Sequence, residues 1–181
     1  ARLRAAYETA DVILEYGSGG STVMAAEMPS KTVFSVESDK DWALMMRGWF
    51  EQTPPARSSQ VDVIWSDVGP TREWGYPKNN SEYLRFARYP LEVWDLKEFR
   101  QPDVVLVDGR FRTGCAMAAA LRTSRPVTVL VDDYKRRKQY HKIEKYLGHP
   151  KLIGRMAEFT VNPMPVPADR LIEIIQMMTR P

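Results

Sequence analysis

The chain has 181 residues, with 26 Lys and Arg against 23 Asp and Glu and a formal net charge of +3. Its 44% hydrophobic and 27% charged content suits one globular domain with a sizeable core. The small basic excess falls short of a nucleic-acid footprint, and no apolar run reaches the roughly 20 residues of a membrane span. A single cysteine, Cys115, excludes an internal disulfide and any multi-cysteine zinc motif, and fits a reducing, cytoplasmic setting.

In chain order, residues 2–10 carry Leu3, Ala6 and Tyr7 on one face of a short helix. A buried strand over 12–15 runs into Glu15-Tyr16-Gly17-Ser18-Gly19-Gly20-Ser21-Thr22. The glycines permit a tight turn and close approach of backbone to a ligand. The helix that opens there, 21–28, offers free N–H groups to polar or anionic atoms and stops before Pro29. A second strand over 31–37 ends in Glu37. A helix over 39–52 follows, with Trp42, Met45, Met46 and Trp49 at helical spacing, a stripe that reads as core rather than as a ligand wall. A third strand, 61–65, closes at Ser66 and Asp67.

Residues 68–101 break the alternation with Gly69, Pro70, Gly75, Pro77 and Pro90 and the aromatics Trp74, Tyr76, Tyr83, Phe86, Tyr89 and Trp94. Such a stretch suggests a lid or acceptor-binding insertion with a helix near 90–99; the alternative is a surface excursion whose aromatics complete the core. Alternation then resumes with a strand at 103–108, a small-residue helix at 113–122, and a strand at 127–131 ending in Asp132 and Asp133. A helix over 134–147 closes at Gly148, and two last strands fall at 151–161 and 170–178 around a proline-rich turn. The pattern predicts one α/β domain over 1–181: a doubly wound, mostly parallel seven-stranded sheet with an antiparallel C-terminal strand pair and helices on both faces.

Glu37 follows Gly17 by twenty residues, where an acid can accept hydrogen bonds from both hydroxyls of a ribose. That spacing serves dinucleotide and S-adenosylmethionine sites alike. A dinucleotide fingerprint wants glycine three positions after Gly19, where this chain has Thr22. The pattern Glu-x-Gly-x-Gly-Gly-Ser-Thr resembles motif I of the class I S-adenosylmethionine-dependent methyltransferases, and the closing strand pair is similar to theirs. It departs at the family's usual third glycine, which falls on Ser21 with Gly20 just before it. The resemblance implies a Rossmann-like fold and S-adenosylmethionine as cofactor. By position it puts Glu15, Gly17, Ser18, Gly19 and Gly20 around the methionine part and Glu37 with Ser38 at the ribose. It puts Asp67 at the adenine amino group with Val68 beside the ring. The residues also allow a plainer role for two of these, Glu15 as a helix cap and Asp67 as the start of the turn at Gly69-Pro70.

Asp108, Asp132 and Asp133 should meet where the strands at 103–108 and 127–131 end. Three unpaired carboxylates repel one another, and a hard divalent cation would relieve that. The segments Leu106-Val107-Asp108-Gly109 and Val131-Asp132-Asp133-Tyr134 resemble the metal-dependent O-methyltransferases, especially the macrocin O-methyltransferase-like group. That resemblance implies Mg²⁺ on the three aspartates, with Asp108 as the candidate catalytic residue beside the cofactor. Otherwise Asp133 caps the next helix, and Asp108 and Asp132 bond loop backbone. Lys135, Arg136, Arg137 and Lys138 follow in the first turn of that helix, an unfavourable place for cations. They bind an anionic acceptor or offset the neighbouring acids; Arg110 and Arg112 flank the same mouth. His141 reads as a surface histidine before a general base.

The expected function is methyl transfer from S-adenosylmethionine to a small-molecule acceptor at oxygen, by placement and without a covalent intermediate. Neither nucleic acid nor membrane is an expected partner. The competing expectation is a non-catalytic protein that keeps the fold and binds S-adenosylmethionine or a related nucleoside. A Rossmann-type dehydrogenase is disfavoured by Thr22 and the closing hairpin.

Overall fold

A computed structural model describes residues 1–181. Strands form where apolar, largely β-branched runs can be covered on both faces. These are β1 (Val12–Tyr16), β2 (Thr32–Glu37), β3 (Gln60–Trp65), β6 (Val104–Val107), β7 (Val127–Val131), β8 (Lys151–Ile153) and β9 (Met156–Val161). A separate small hairpin, β4 (Thr71–Arg72) with β5 (Tyr76–Pro77), lies between β3 and β6. The main sheet has the order β3-β2-β1-β6-β7-β9-β8. It is parallel from β3 to β7, and β9 is antiparallel to both β7 and β8. The chain builds outward from β1 through β3, then crosses back to β6 on the other side of β1. The carboxyl ends of β1 and β6 therefore form a switch point, where open α/β sheets leave a crevice for a ligand.

Side-chain parity sorts two cores. Leu14, Tyr16, Val36, Val105 and Val107 face α4 (Arg88–Leu91), α5 (Arg112–Arg122), α6 (Glu144–Leu147) and α7 (Leu171–Met178). Ile13, Val33 and Leu106 point the other way, beneath α1 (Arg2–Thr9) and α2 (Gly20–Ala26). Ala43 and Met46 of α3 (Lys40–Gln52) pack on Val63 of β3. α3 starts at Asp39, whose carboxylate accepts the Trp42 N–H at 3.0 Å.

Three expected elements differ. Residues 170–178 form helix α7 rather than a strand: Ile174, Met177 and Met178 are buried while Ile172 and Ile175 are exposed, a helical and not an alternating pattern. The antiparallel pair is β8 with β9, both within 151–161 and joined through Gly154 and Arg155. The helix expected over 134–147 breaks into a turn, a 3-10 segment (Lys138–Ile143) and α6. The cause is local: Asp133 adopts a left-handed φ of 54° and Tyr134 turns into the core. Lys135 and Arg136 therefore lie in the turn, and Arg137 caps the short 3-10 segment rather than the first turn of an α-helix. Residues 68–101 are split in burial. Phe86, Tyr89, Val93 and Trp94 complete the core, whereas Trp74 and Tyr83 stay exposed. The helix near 90–99 is α4 followed by a 3-10 turn, Glu92–Asp95.

Candidate active site

At the end of β1 the chain turns at Gly17 with φ +104°, so close to the end of β6 that a Cβ would lie 2.7 Å from the Gly109 nitrogen. Only glycine satisfies both demands. The Gly19 N–H donates to Thr22 Oγ1 at 2.9 Å, while Gly19 and Gly20 face open space. That space is a cavity of about 1590 Å³ across the carboxyl ends of β1, β2, β6 and β7. Single small-molecule pockets span roughly 300–1,000 Å³. The volume therefore admits a cofactor-sized molecule and a second ligand together.

Gly17, Ser18, Gly19, Gly20, Glu37, Asp108, Asp132 and Asp133 line the cavity; Glu15, Ser38, Asp67 and Val68 do not. Glu15 is fully buried on the α1/α2 side of the sheet, in register with Ser35. Its carboxylate accepts from Tyr7 Oη at 2.6 Å, Thr22 Oγ1 at 2.6 Å and Ser35 Oγ at 3.2 Å. It supports the glycine turn from below. Burial pushes its carboxyl above the ordinary range, and the Thr22 and Tyr7 hydroxyls pull back. Asp67 pairs with Arg85 at 2.9 Å and accepts the Gly69 N–H at 2.9 Å, in a separate small depression. Val68 is buried in the core. The Ser38 hydroxyl donates to the Gly75 carbonyl at 2.9 Å.

Glu37 sits at the cavity wall with its carboxylate half engaged. Oε1 accepts from the Ser38 and Asp39 amides at 2.7 and 2.9 Å, and Oε2 meets only the Ser18 amide at 3.3 Å. Burial raises its pKa, opposed by those three amides. The β4–β5 hairpin rests on this point: at Gly75, with φ +68°, a Cβ would lie 2.5 Å from Ser38 Oγ.

The three aspartates do not form a metal site, which corrects the Mg²⁺ assignment to Asp108, Asp132 and Asp133. Each has a guanidinium partner. Arg112 lies 3.1 Å from Asp108 Oδ1, Arg155 binds Asp132 through two nitrogens, and Arg137 and Arg155 reach Asp133 at 3.3 and 3.5 Å. No group of three or more His, Cys, Asp or Glu is gathered as metal ligands. The repulsion that a cation would relieve is already relieved by arginine, so these residues do not fit a divalent ion. Arg112 also donates to the carbonyls of Gly109, Asp132 and Asp108 at 3.0, 2.6 and 2.8 Å, tying the ends of β6 and β7 together. Asp108 keeps 43% of its side-chain exposure at the cavity floor. Its carboxyl is raised by loss of water around it, against the pull of Arg112 and with the push of Asp132.

Several lining residues escaped the sequence reading. Trp42 and Met45 belong to the wall, exposed at 45% each, and of the helix stripe only Met46 is core. Trp42 Nε1 also donates to the Ser18 carbonyl at 2.8 Å, tying α3 to the glycine turn. The hairpin contributes Trp74 and Tyr76, and the β8–β9 turn contributes Arg155. The helical spacing marks a face but not what covers it. Nothing short-range signals Arg155.

The chain matches no protein-family model and no curated protein. Among solved structures, a methyltransferase-like protein from Silicibacter pomeroyi DSS-3 is 54% identical, with a TM-score of 0.97 over 99% of this chain and 93% of its own. A putative O-methyltransferase from Klebsiella pneumoniae is 15% identical, with a TM-score of 0.57 over 89% of this chain and 80% of its own. An O-methyltransferase from Bacillus cereus, solved in complex with SAH, is 12% identical, with a TM-score of 0.58 over 88% and 79%. The last two share the fold.

Proposed function

This chain belongs to the methyltransferase-like proteins of the class I superfamily, and we propose that it binds S-adenosylmethionine in the cavity and directs its methyl group to an oxygen of a small-molecule acceptor. The observation that carries this is the meeting of the Gly17–Gly20 turn, Glu37 and Asp108 around one cavity with room for two ligands. The SAH complex of the like-folded Bacillus cereus enzyme supports the choice of cofactor.

The Gly17, Ser18 and Gly19 amides are engaged within the chain, so the amides of Gly20 and Ser21 that open α2 are the ones offered to the methionine part. Glu37 accepts the ribose hydroxyls through Oε2, the oxygen with one long bond. Trp42 and Met45 offer apolar surface to the adenine. When bound, the cofactor supplies an electrophilic methyl group on a sulfonium. Asp108, held by Arg112 and raised in pKa, takes the proton from the acceptor hydroxyl. The hairpin above Glu37 limits water at the mouth.

Calorimetry with S-adenosylhomocysteine and turnover on an acceptor panel test this. S-adenosylhomocysteine should bind, and Asp108→Asn should cut turnover about a hundredfold or more with little change in that binding. Absence of binding would end the proposal. A second reading, a non-catalytic binder, is favoured by the arginine partners that engage all three floor acids. It predicts S-adenosylhomocysteine binding with no turnover on any acceptor.

A further inference from the structure

We propose that the methyl acceptor carries an oxyanion, a carboxylate or a phosphate, held at the cavity mouth by Arg110 and Arg137 beside Tyr76. This names the acceptor class that the methyltransferase reading leaves open, and it rests on that reading.

Tyr76 opens β5, directly after the Gly75 turn that lays the hairpin on Ser38. The Arg110 guanidinium lies 3.9 Å from the centre of its ring. Burial pushes the phenol's pKa up, and the charges and hydrogen bonding of Arg110 and Arg137 outweigh that, leaving it below the ordinary value. All three side chains line the cavity.

The ion pairs on this side do not balance. Of the five lining arginines, Arg2 pairs with Glu158, and the other four, Arg110, Arg112, Arg137 and Arg155, face three lining aspartates, Asp108, Asp132 and Asp133. Arg112, Arg137 and Arg155 each pair with one or two of those acids; Arg110 pairs with none. The Arg110 Nε is also buried without a hydrogen-bond partner. A buried donor in that state ordinarily has an acceptor that completes it. Stacking on Tyr76 fixes the guanidinium plane and leaves its edge for a forked pair of bonds, the geometry that carboxylates and phosphates accept. Arg137 can join, because its bonds to Asp133 and Tyr140 are both long, at 3.3 Å. Lys135, Arg136 and Lys138 in the same turn have no ion-pair partner and add to the field that draws an anion inward. The remaining lining acids, Glu37, Asp39, Asp41 and Glu73, belong to β2, the start of α3 and the hairpin.

The test uses the full chain loaded with S-adenosylhomocysteine and two matched probe pairs: 4-hydroxybenzoate with 4-hydroxybenzamide, and phenyl phosphate with phenol. Calorimetry should give at least one anionic probe an affinity about tenfold or more above its neutral twin. The pair that shows it says whether carboxylate or phosphate is preferred. Arg110→Gln should abolish the preference and leave S-adenosylhomocysteine affinity in place, which also reports that the variant is folded. Arg110→Lys, which keeps the charge and loses the fork, should retain part of it. If S-adenosylhomocysteine binds and both pairs stay within about twofold, or if Arg110→Gln keeps the preference, the anion site is overturned alone. If S-adenosylhomocysteine does not bind, the methyltransferase reading falls and this inference with it.

Discussion

Replacing Tyr7 by Phe removes one oxygen from a site with no exposure at all. The Tyr7 hydroxyl is the sole hydrogen-bond donor to Glu15 Oε1, at 2.6 Å, while Oε2 keeps Thr22 and Ser35. The ring remains, so lost packing is small and the unmatched carboxylate oxygen sets the cost, about 1.5–3 kcal/mol. For a chain of this size that lowers the melting temperature by roughly 3–12 °C. The effect should depend on pH. Burial raises the folded-state pKa of Glu15 above the ordinary glutamate value of 4.5. The folded state then holds this proton more tightly than the unfolded state, and this group's contribution to stability declines as pH rises from that value through the folded one. Without the hydroxyl the folded pKa rises further, so the deficit of Tyr7→Phe should be small near pH 4.5 and full at neutral pH. Thermal and urea denaturation followed by circular dichroism measure both. An unchanged melting temperature at neutral pH would refute the support role of Glu15; an equal deficit at both pH values would refute its protonation. Thr22→Val is the companion, because Thr22 Oγ1 also accepts the Gly19 N–H at 2.9 Å. It should weaken S-adenosylhomocysteine binding as well as stability, whereas Tyr7→Phe should lower stability alone.

Glu37→Ala should weaken S-adenosylhomocysteine by about 1.5–3 kcal/mol in calorimetry. Because the Glu37 pKa is raised, wild-type affinity should start to fall with acidification above the usual carboxylate range, and Glu37→Gln should flatten that slope. Gly75→Ala, which forces a Cβ to 2.5 Å from Ser38 Oγ at a left-handed φ, should cost about 1–2 kcal/mol from the backbone alone. It should also speed hydrogen exchange through residues 71–77. Mg²⁺ or Mn²⁺ titrated with S-adenosylhomocysteine present should give no binding heat, and turnover should survive EDTA; loss of turnover in EDTA, restored by metal, would contradict the arginine pairing of the aspartates.

The parallel sheet was legible because its strands are short, mainly apolar and β-branched runs between turn residues, with the unbroken Val104–Val107 the clearest. The run Leu171–Met178 is also short and mostly apolar, interrupted only by Glu173 and Gln176, and periodicity cannot separate a strand from a half-buried helix at that length. The left-handed Asp133 was invisible too, since aspartate tolerates that conformation without requiring it. Within the cavity, the glycine turn and Glu37 were readable because their work is local. The aspartates misled through Asp132, whose partner Arg155 stands 23 residues further on. Arg112 and Arg137, each four residues from Asp108 and Asp133, were close at hand, but short-range pattern does not say which arginine folds back onto which acid. Glu15 misled differently: its position in the motif was right, but its side chain follows strand parity to the face that α1 and α2 cover.

The β8–β9 turn, from Ile153 to Met156, forms the far wall of the cavity, and its Arg155 latches Asp132. On a ribosome the glycine turn and Glu37 emerge before the wall opposite them, which follows more than a hundred residues later. A nascent chain thus owns half a site that has nothing to close against. Ligand capture waits until β9 has docked beside β7, and a ligand present during synthesis would reward completion of the sheet rather than its first strands.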